Sequence, residues 1–429
     1  MENQVSFYLN GRLVTVDNPP PALLLIDYLR SPEVGLAGPK KACGQGGCGA
    51  CTVIVSSWKD GAAEHRAINS CLRPVCALGG LVVTTVEGTG AVRKPDPPHL
   101  YHARTASRAG APIGMQESPV LAKATEDAKE KRASVLQAVE DKRAKEAGGA
   151  AVKLRETVAD HPSEHWHDGM NPVAHRLALN NGSQCGYCSV GFVMNMSELL
   201  ITHPDMTKRE IEEAFDGNLC RCTGYRSILT GMKTFASDWD KHDEENRMEC
   251  KEDDGSNAQL PADVVIPFPP AAQQPAEPVM SRGGGQQWFT PTTMEELEEL
   301  LRRHPDIRLI HGNTSFGIYK HEYPDTEFFA DVRLIPALHH AVDRRDHELV
   351  VASGTTYSEL IELLVETRRK KKIAESTSFG ALELMARRTA GRIVRNAASL
   401  GGNTMLVLKH IAKGTGEPFP SDLFTALDA

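Results

Sequence analysis

The chain has 429 residues, 41% hydrophobic and 24% charged, with a formal net charge of −8. That length exceeds one ordinary core, so several domains are expected, and the acidic balance gives no reason to expect nucleic acid as a partner. No apolar run approaches the ~18 residues of a membrane helix, and the residues from Met1 to Asn10 lack the basic and apolar regions of a secretory leader. A cytoplasmic setting is therefore expected, where grouped cysteines bind metal more often than they pair as disulfides.

Residues 4–16 alternate apolar and polar around Asn10-Gly11, which predicts a β-hairpin. An apolar helical stretch at 22–29 follows, then a glycine-rich loop around Cys43, then strands near 52–56 and 81–86. This order is that of a small β-grasp ferredoxin unit, 1–90. Residues 91–170 begin with Pro95, Pro97 and Pro98 and continue as a charged, alanine-rich tract. Helical propensity without an apolar stripe predicts a solvated, partly disordered insertion there. His161, His165 and His167 within it read as a surface loop rather than a metal site.

Compact helical patterning returns at 171–243. Pro172 suits a helix N1 position, 194–200 carries helical apolar spacing, Thr207 with Glu210 forms a capping box before 211–215, and 228–235 is a last helix. An α-helical bundle with cysteines at its helix ends is expected. Residues 244–287, an acidic run and then six prolines and three glycines, read as a linker that buries no core. From Trp288 to the last residue, helical patterns at 293–303 and 356–367 alternate with strands at 307–311 and 349–353, an α/β or α+β unit.

Eight of the ten cysteines form two quartets. Cys43, Cys48 and Cys51, with Cys71 following, have the plant-type ferredoxin spacing for a [2Fe–2S] cluster. Gly44, Gly46, Gly47 and Gly49 let the backbone wrap closely and turn N–H groups toward the sulfurs. Four-cysteine zinc is the rival, but this spacing in a glycine loop favours iron and sulfide. Cys185 and Cys188 with Cys220 and Cys222 supply four more soft ligands. On spacing alone, that set fits either a cluster or zinc. Cys76 reads as a small buried apolar residue and Cys250 as an exposed tail thiol.

The neighbouring residues decide the second quartet by resemblance. Cys-Gly-Gln-Gly-Gly-Cys-Gly-Ala-Cys-Thr at 43–52, Ser-Cys-Leu-Arg-Pro-Val-Cys at 70–76, Thr-Thr-Val-Glu-Gly at 84–88, residues 171–191 and residues 217–225 resemble the molybdenum hydroxylases, the xanthine dehydrogenase and aldehyde oxidase family. The resemblance implies a multidomain α+β chain. A β-grasp ferredoxin-like domain would hold one 2Fe-2S cluster on Cys43, Cys48, Cys51 and Cys71. A helical bundle would hold the second on Cys185, Cys188, Cys220 and Cys222, with Gln184 beside a molybdopterin. A partial α+β FAD-binding domain of PCMH type would occupy 288–429.

In that last unit Leu309-Ile310-His311-Gly312-Asn313-Thr314-Ser315-Phe316-Gly317-Ile318 is similar to the family's first phosphate-cradling loop. Ala398-Ser399-Leu400-Gly401-Gly402-Asn403-Thr404 is similar to the second, and Ser421-Asp422 to a later cofactor contact. Glycine-rich turns of this kind present amides to pyrophosphate oxygens. Three departures accompany the likeness: the insertion at 91–170; Thr389, where many relatives place an aromatic near the flavin; and an end at Ala429, which leaves out the rest of the FAD domain and the molybdopterin-binding region.

The resulting expectation is an oxidoreductase component, with no catalytic base of its own, that passes electrons from a molybdopterin centre elsewhere through both clusters to FAD. NAD⁺ or O₂ would be the acceptor, and the complete enzyme would be a homodimer. The alternative is a truncated, non-catalytic 2Fe-2S carrier or interaction protein without stable flavin. A zinc scaffold is the third reading.

Overall fold

The computed structural model describes residues 3–89, 171–246, 264, 266–339, 342–344, 349–370, 377–412 and 421–428. These fall within one unit, Met1–Val92 with Leu154–Ala429. The charged insertion predicted at 91–170, its three histidines, and Cys250 lie outside the described residues.

Strands β1 (Gln4–Leu9) and β2 (Arg12–Asp17) form the expected hairpin, turned by Asn10 and Gly11 at φ 50° and 83°. Positive φ at both turn residues matches the right-handed twist of the flanking strands. Val5, Phe7 and Leu9 are fully buried on one face, each worth about 1.5–3 kcal/mol. Helix α1 (Leu25–Leu29) is shorter than the apolar stretch at 22–29, because Leu24 is extended and bridges Pro74. Strands β3 (Thr52–Lys59), β4 (Ala62–Asn69) and β5 (Val82–Thr84) complete a five-stranded sheet of order β2-β1-β5-β3-β4, with β1 and β5 parallel. Strand β4 was not expected. It follows β3 through Asp60-Gly61, both at positive φ.

Helix α2 (Pro172–Leu179) starts at Asn171, whose Oδ1 accepts from Val173 N at 2.8 Å, and Pro172 occupies N1. Helix α3 (Ser189–Thr202) is buried almost all round from Gly191 to Leu199, as befits the central helix of a bundle. Helix α4 (Lys208–Glu213) carries the Thr207–Glu210 capping box, and α5 (Arg226–Lys233) and α6 (Lys241–Asn246) follow. The proline-rich stretch is more than a spacer. Val264 and Ile266 join the core of the bundle, Val279 joins the core of the first sheet, and Phe268 stacks on Trp58 at 5.7 Å between ring centroids. Its prolines allow only one 3₁₀ turn, at Pro270–Ala272, among the described residues before Ser281, but do not keep intervening apolar side chains from packing.

The last unit begins before Trp288. Strands β6 (Ser281–Gly283) and β7 (Gln286–Phe289) form a hairpin, and α7 (Met294–Arg303) then leads to β8 (Arg308–Ile310), α8 (Phe316–Tyr319) and β9 (Phe328–Asp331). The sheet order is β6-β7-β9-β8, with β7, β9 and β8 parallel, so the loop after β8 opens at the carboxyl end of parallel strands. Strands β10 (Val342–Arg344) and β11 (Leu349–Val351) pair by themselves. Helices α9 (Tyr357–Arg369), α10 (Thr377–Arg388), α11 (Arg392–Arg395), α12 (Leu400–Ala412) and α13 (Asp422–Asp428) complete the unit. Trp288, Ile310 and Phe329 share one hydrophobic cluster with Phe7, Leu25 and Val83, so the two sheets have a common core. No helix among the described residues is long and apolar enough to cross a membrane.

Candidate redox centres

The loop from Cys43 to Cys51 turns through Gly44, Gly46 and Gly49, all at φ between 64° and 81°, a region that side chains rarely enter. The thiols gather in twos. Cys43 exchanges a hydrogen bond with Cys48, and Cys51 with Cys71. Backbone and side-chain donors also point at sulfur: Gln45 N lies 3.3 Å from Cys43 Sγ, and Asn69 Nδ2 lies 3.6 Å from Cys51 Sγ. Cys51 and Cys71 are only 2% and 1% exposed, whereas Cys43 is open to solvent. The Cys71 thiol, together with Asn69, brings the Cys51 thiol down to about 6 against the opposing effect of burial. The same bond, with burial added, drives Cys71 far up.

The second quartet pairs in the same way. Cys222 and Cys185 have their sulfurs 3.5 Å apart, and the Cys188 thiol is hydrogen-bonded to that of Cys220. Cys188 immediately precedes α3, and Cys220 and Cys222 lie in the turn between α4 and α5. Thr223 contacts Cys220 Sγ through its hydroxyl at 3.1 Å and its N–H at 3.5 Å. Burial, then the Cys220 thiol, pushes Cys188 up to about 12. Cys185, by contrast, is lowered, chiefly by the backbone N–H of Tyr187. Among the described residues no three His, Cys, Asp or Glu side chains converge as a single-ion site.

In the last unit, Leu309 and Ile310 end β8, with Ile310 in the core, and the chain turns through 311–315 into α8. A Cβ at Gly312 would lie 1.9 Å from the Ala397 carbonyl, and one at Gly317 would lie 2.4 Å from the Gln45 carbonyl. Both glycines are demanded by backbone packing. Asn313, at φ 56°, donates from Nδ2 to the Leu72 carbonyl at 2.7 Å. Phe316 packs edge-on against Tyr323, and its N–H closes the turn onto the Asn313 carbonyl. Thr314 faces a small cavity with Gly312, Asn69, Arg73 and Ala397. Burial, with His339 and Arg333 adding, brings His311 down to about 4. Buried polar atoms around this loop that lack partners among the described residues include Oδ1 of Asn313 and Nε of Arg73. Such orphaned groups are what a polar ligand at the carboxyl end of parallel strands would satisfy.

The second segment reaches the first through Ala397. Ser399 bridges Thr356, and the Gly401 N–H donates to the Ser353 carbonyl at 2.7 Å. The Gly402 N–H donates to Ser399 Oγ at 3.1 Å, and Asn403 Oδ1 accepts from Ser421 Oγ at 2.6 Å. Ser421 also caps α13, whose first residue, Asp422, is exposed. Thr389 follows α10, with its hydroxyl donating to the Met385 carbonyl, and presents no ring.

Several contacts join these sites, and none has a sequence signature. The Leu219 N–H donates to the Cys48 carbonyl at 3.0 Å, which links the residue before Cys220 to a cysteine of the first quartet. Gln45 and Leu72 carry the contacts to Gly317 and Asn313 just described. Arg392 reaches back to Asn195 and Glu198 on α3.

The family model described as "2Fe-2S iron-sulfur cluster binding domain" matches residues 7–76, "[2Fe-2S] binding domain" matches 157–233, and "FAD binding domain in molybdopterin dehydrogenase" matches 282–429. The chain is 31% identical to the xanthine dehydrogenase of Drosophila pseudoobscura pseudoobscura over its whole length, which is 27% of that protein. It is 28% identical to aldehyde oxidase 2 of Cavia porcellus over 93% of this chain and 27% of that one. Among solved structures, the aldehyde oxidoreductase of Desulfovibrio desulfuricans ATCC 27774 overlaps 55% of this chain and 17% of its own, at 22% identity and a TM-score of 0.33. The chain thus spans about a quarter of the length of the curated relatives it matches.

Proposed function

Because the chain belongs to the xanthine dehydrogenase and aldehyde oxidase family and spans its iron–sulfur and flavin-binding regions, we propose that it is the electron-transfer portion of a molybdenum hydroxylase. It takes electrons from a molybdopterin-binding region or subunit and delivers them to FAD, with NAD⁺ or O₂ as the final acceptor. The cytoplasmic, homodimeric enzyme belongs to the same reading. When bound, the clusters and flavin together convert a two-electron oxidation into single-electron steps; the protein supplies positions and potentials.

Cys43, Cys48, Cys51 and Cys71 are the proposed ligands of the first cluster, and Cys185, Cys188, Cys220 and Cys222 those of the second. The gathering of the thiols within each set, together with the matching 2Fe-2S family models, supports a cluster over a single zinc ion. Residues 309–317, with Ser399, Gly401, Gly402, Asn403 and Asp422, are the proposed flavin contacts, supported by the orphaned polar atoms around Gly312 and Asn313. The five-stranded sheet with its cysteine loop supports a β-grasp unit at 1–90, α2–α5 a helical unit at 171–243, and the parallel strands a PCMH-type unit at 288–429, behind the stretch 244–287.

The observation that most supports this reading is a pair of contacts, from the Leu219 N–H to the Cys48 carbonyl and from Asn313 Nδ2 to the Leu72 carbonyl, of the kind that sites working in series require. Iron, acid-labile sulfide and flavin measured on the purified chain test it. Two clusters' worth of iron and sulfide with flavin bound is the expected result. Zinc without sulfide would defeat the cluster assignment, and clusters without flavin would reduce the chain to a carrier.

A further inference from the structure

Cys220 is the most enclosed thiol of the second quartet: it is 8% exposed, whereas Cys185 and Cys222 are open to solvent. Water can hydrogen-bond the two open sulfurs, but a buried sulfur depends on donors supplied by the protein. Thr223 offers two. Its N–H lies 3.5 Å from Cys220 Sγ, and its hydroxyl oxygen lies 3.1 Å away. The same hydroxyl accepts the Tyr225 N–H at 3.1 Å. A threonine hydroxyl has one proton to give, and with the Tyr225 N–H on one lone pair that proton is left to turn toward the sulfur. A thiol could donate in return, but a metal-bound thiolate has no proton and can only accept.

The turn is built to keep this arrangement. Gly224 and Tyr225 are both left-handed, at φ 64° and 70°. For tyrosine that conformation is strained and persists only where its surroundings enforce it. Here the phenol oxygen accepts the Cys220 N–H at 3.1 Å, and the ring packs against the core of the bundle. The Tyr225 carbonyl accepts the Leu229 N–H at 2.9 Å and so starts α5. Tyr225 thus closes a ring of bonds over residues 220–225, with the Thr223 hydroxyl held against the sulfur.

We propose that Thr223 is a positioning residue of the second centre: its hydroxyl donates to the metal-bound Cys220 thiolate, and Tyr225 holds it there. This rests on the assignment of Cys185, Cys188, Cys220 and Cys222 as cluster ligands. A donor to a ligand sulfur withdraws negative charge from it and so favours the reduced, more negative cluster. The bond touches one sulfur of one centre, so its effect is local.

The test is an anaerobic potentiometric titration of the full chain, with both clusters followed by electron paramagnetic resonance. Thr223→Val keeps the bulk of the side chain and removes the hydroxyl. In that variant the second-cluster midpoint falls and its g-values shift, Thr223→Ser restores both, and the first cluster is unchanged. An unmoved second midpoint in Thr223→Val, or a Thr223→Ser chain that behaves like it, overturns the proposal. If Thr223→Val does not retain the second cluster, retention becomes the readout: Thr223→Ser must carry the full iron and sulfide, and its loss of the cluster also overturns the proposal. A wild-type chain without a second [2Fe–2S] signal refutes the ligand assignment instead.

Discussion

Glu198, wholly buried on α3, accepts from both terminal nitrogens of Arg392: Nη1 at 2.6 Å from Oε2 and Nη2 at 3.2 Å from Oε1. Arg392 Nη1 also donates to Asn195 Oδ1, and Asn195 Nδ2 donates to Asn218 Oδ1, two residues before Cys220. A second pair, Arg395 with Asp216 at 2.8 Å, lies alongside. The last unit is therefore fastened to the turn that presents the second quartet.

Breaking this pair from one side leaves a buried charge alone. Arg392→Met is expected to destabilise the chain by about 3–5 kcal/mol, and adding Glu198→Gln should recover much of that loss. Urea unfolding of the two single variants and the double variant measures the coupling. Additive losses would show that the pair does not act as a unit.

Gly191 lies where α3 meets the first cysteine loop, and a Cβ there would sit 2.2 Å from the Gly49 carbonyl oxygen. Gly191→Ala is expected to cost at least the roughly 1–3 kcal/mol typical of overpacking. It should also weaken the magnetic interaction between the two reduced clusters. Denaturant unfolding and low-temperature electron paramagnetic resonance check the two effects separately.

Cys48→Ser is expected to bleach the visible absorption of one cluster and leave the resonance signal of the Cys185 cluster intact. Loss of both signals would contradict separate sites.

The His311 ring is held neutral at pH 7, because burial lowers it to about 4 from an ordinary value of 6.5. The folded form takes up a proton less readily than the unfolded one, so the contribution to stability is whole above about 6.5. It declines as the pH falls from there toward 4. His311→Leu should flatten the stability profile in that window, as read by thermal unfolding. An unchanged profile would show that the ring is not held neutral by folding.

Local backbone chemistry was legible where the residues act on their own neighbours. Asn10-Gly11 marks its hairpin, and Thr207 with Glu210 marks a helix start that the structure reproduces bond for bond. Asp60-Gly61 carried the same hairpin signal, but β4 reads Ala-Ala-Glu-His-Arg-Ala-Ile-Asn, too poor in β-branched residues to be noticed. The cysteine spacings were legible as local patterns, and the structure brings thiols of each set together. What joins them was not. Leu219 meets Cys48 through peptide groups, which every residue owns, and Gly317 looks like part of a phosphate loop while its missing side chain makes room for the Gln45 carbonyl.

The cysteine loop uses successive carbonyls to hold separate neighbours: Gln45 faces Gly317, Cys48 takes Leu219, and Gly49 faces Gly191. The path of the loop is therefore constrained from outside as firmly as by its own glycines: a side chain added at Gly191 or Gly317, far away in sequence, would press directly on its backbone.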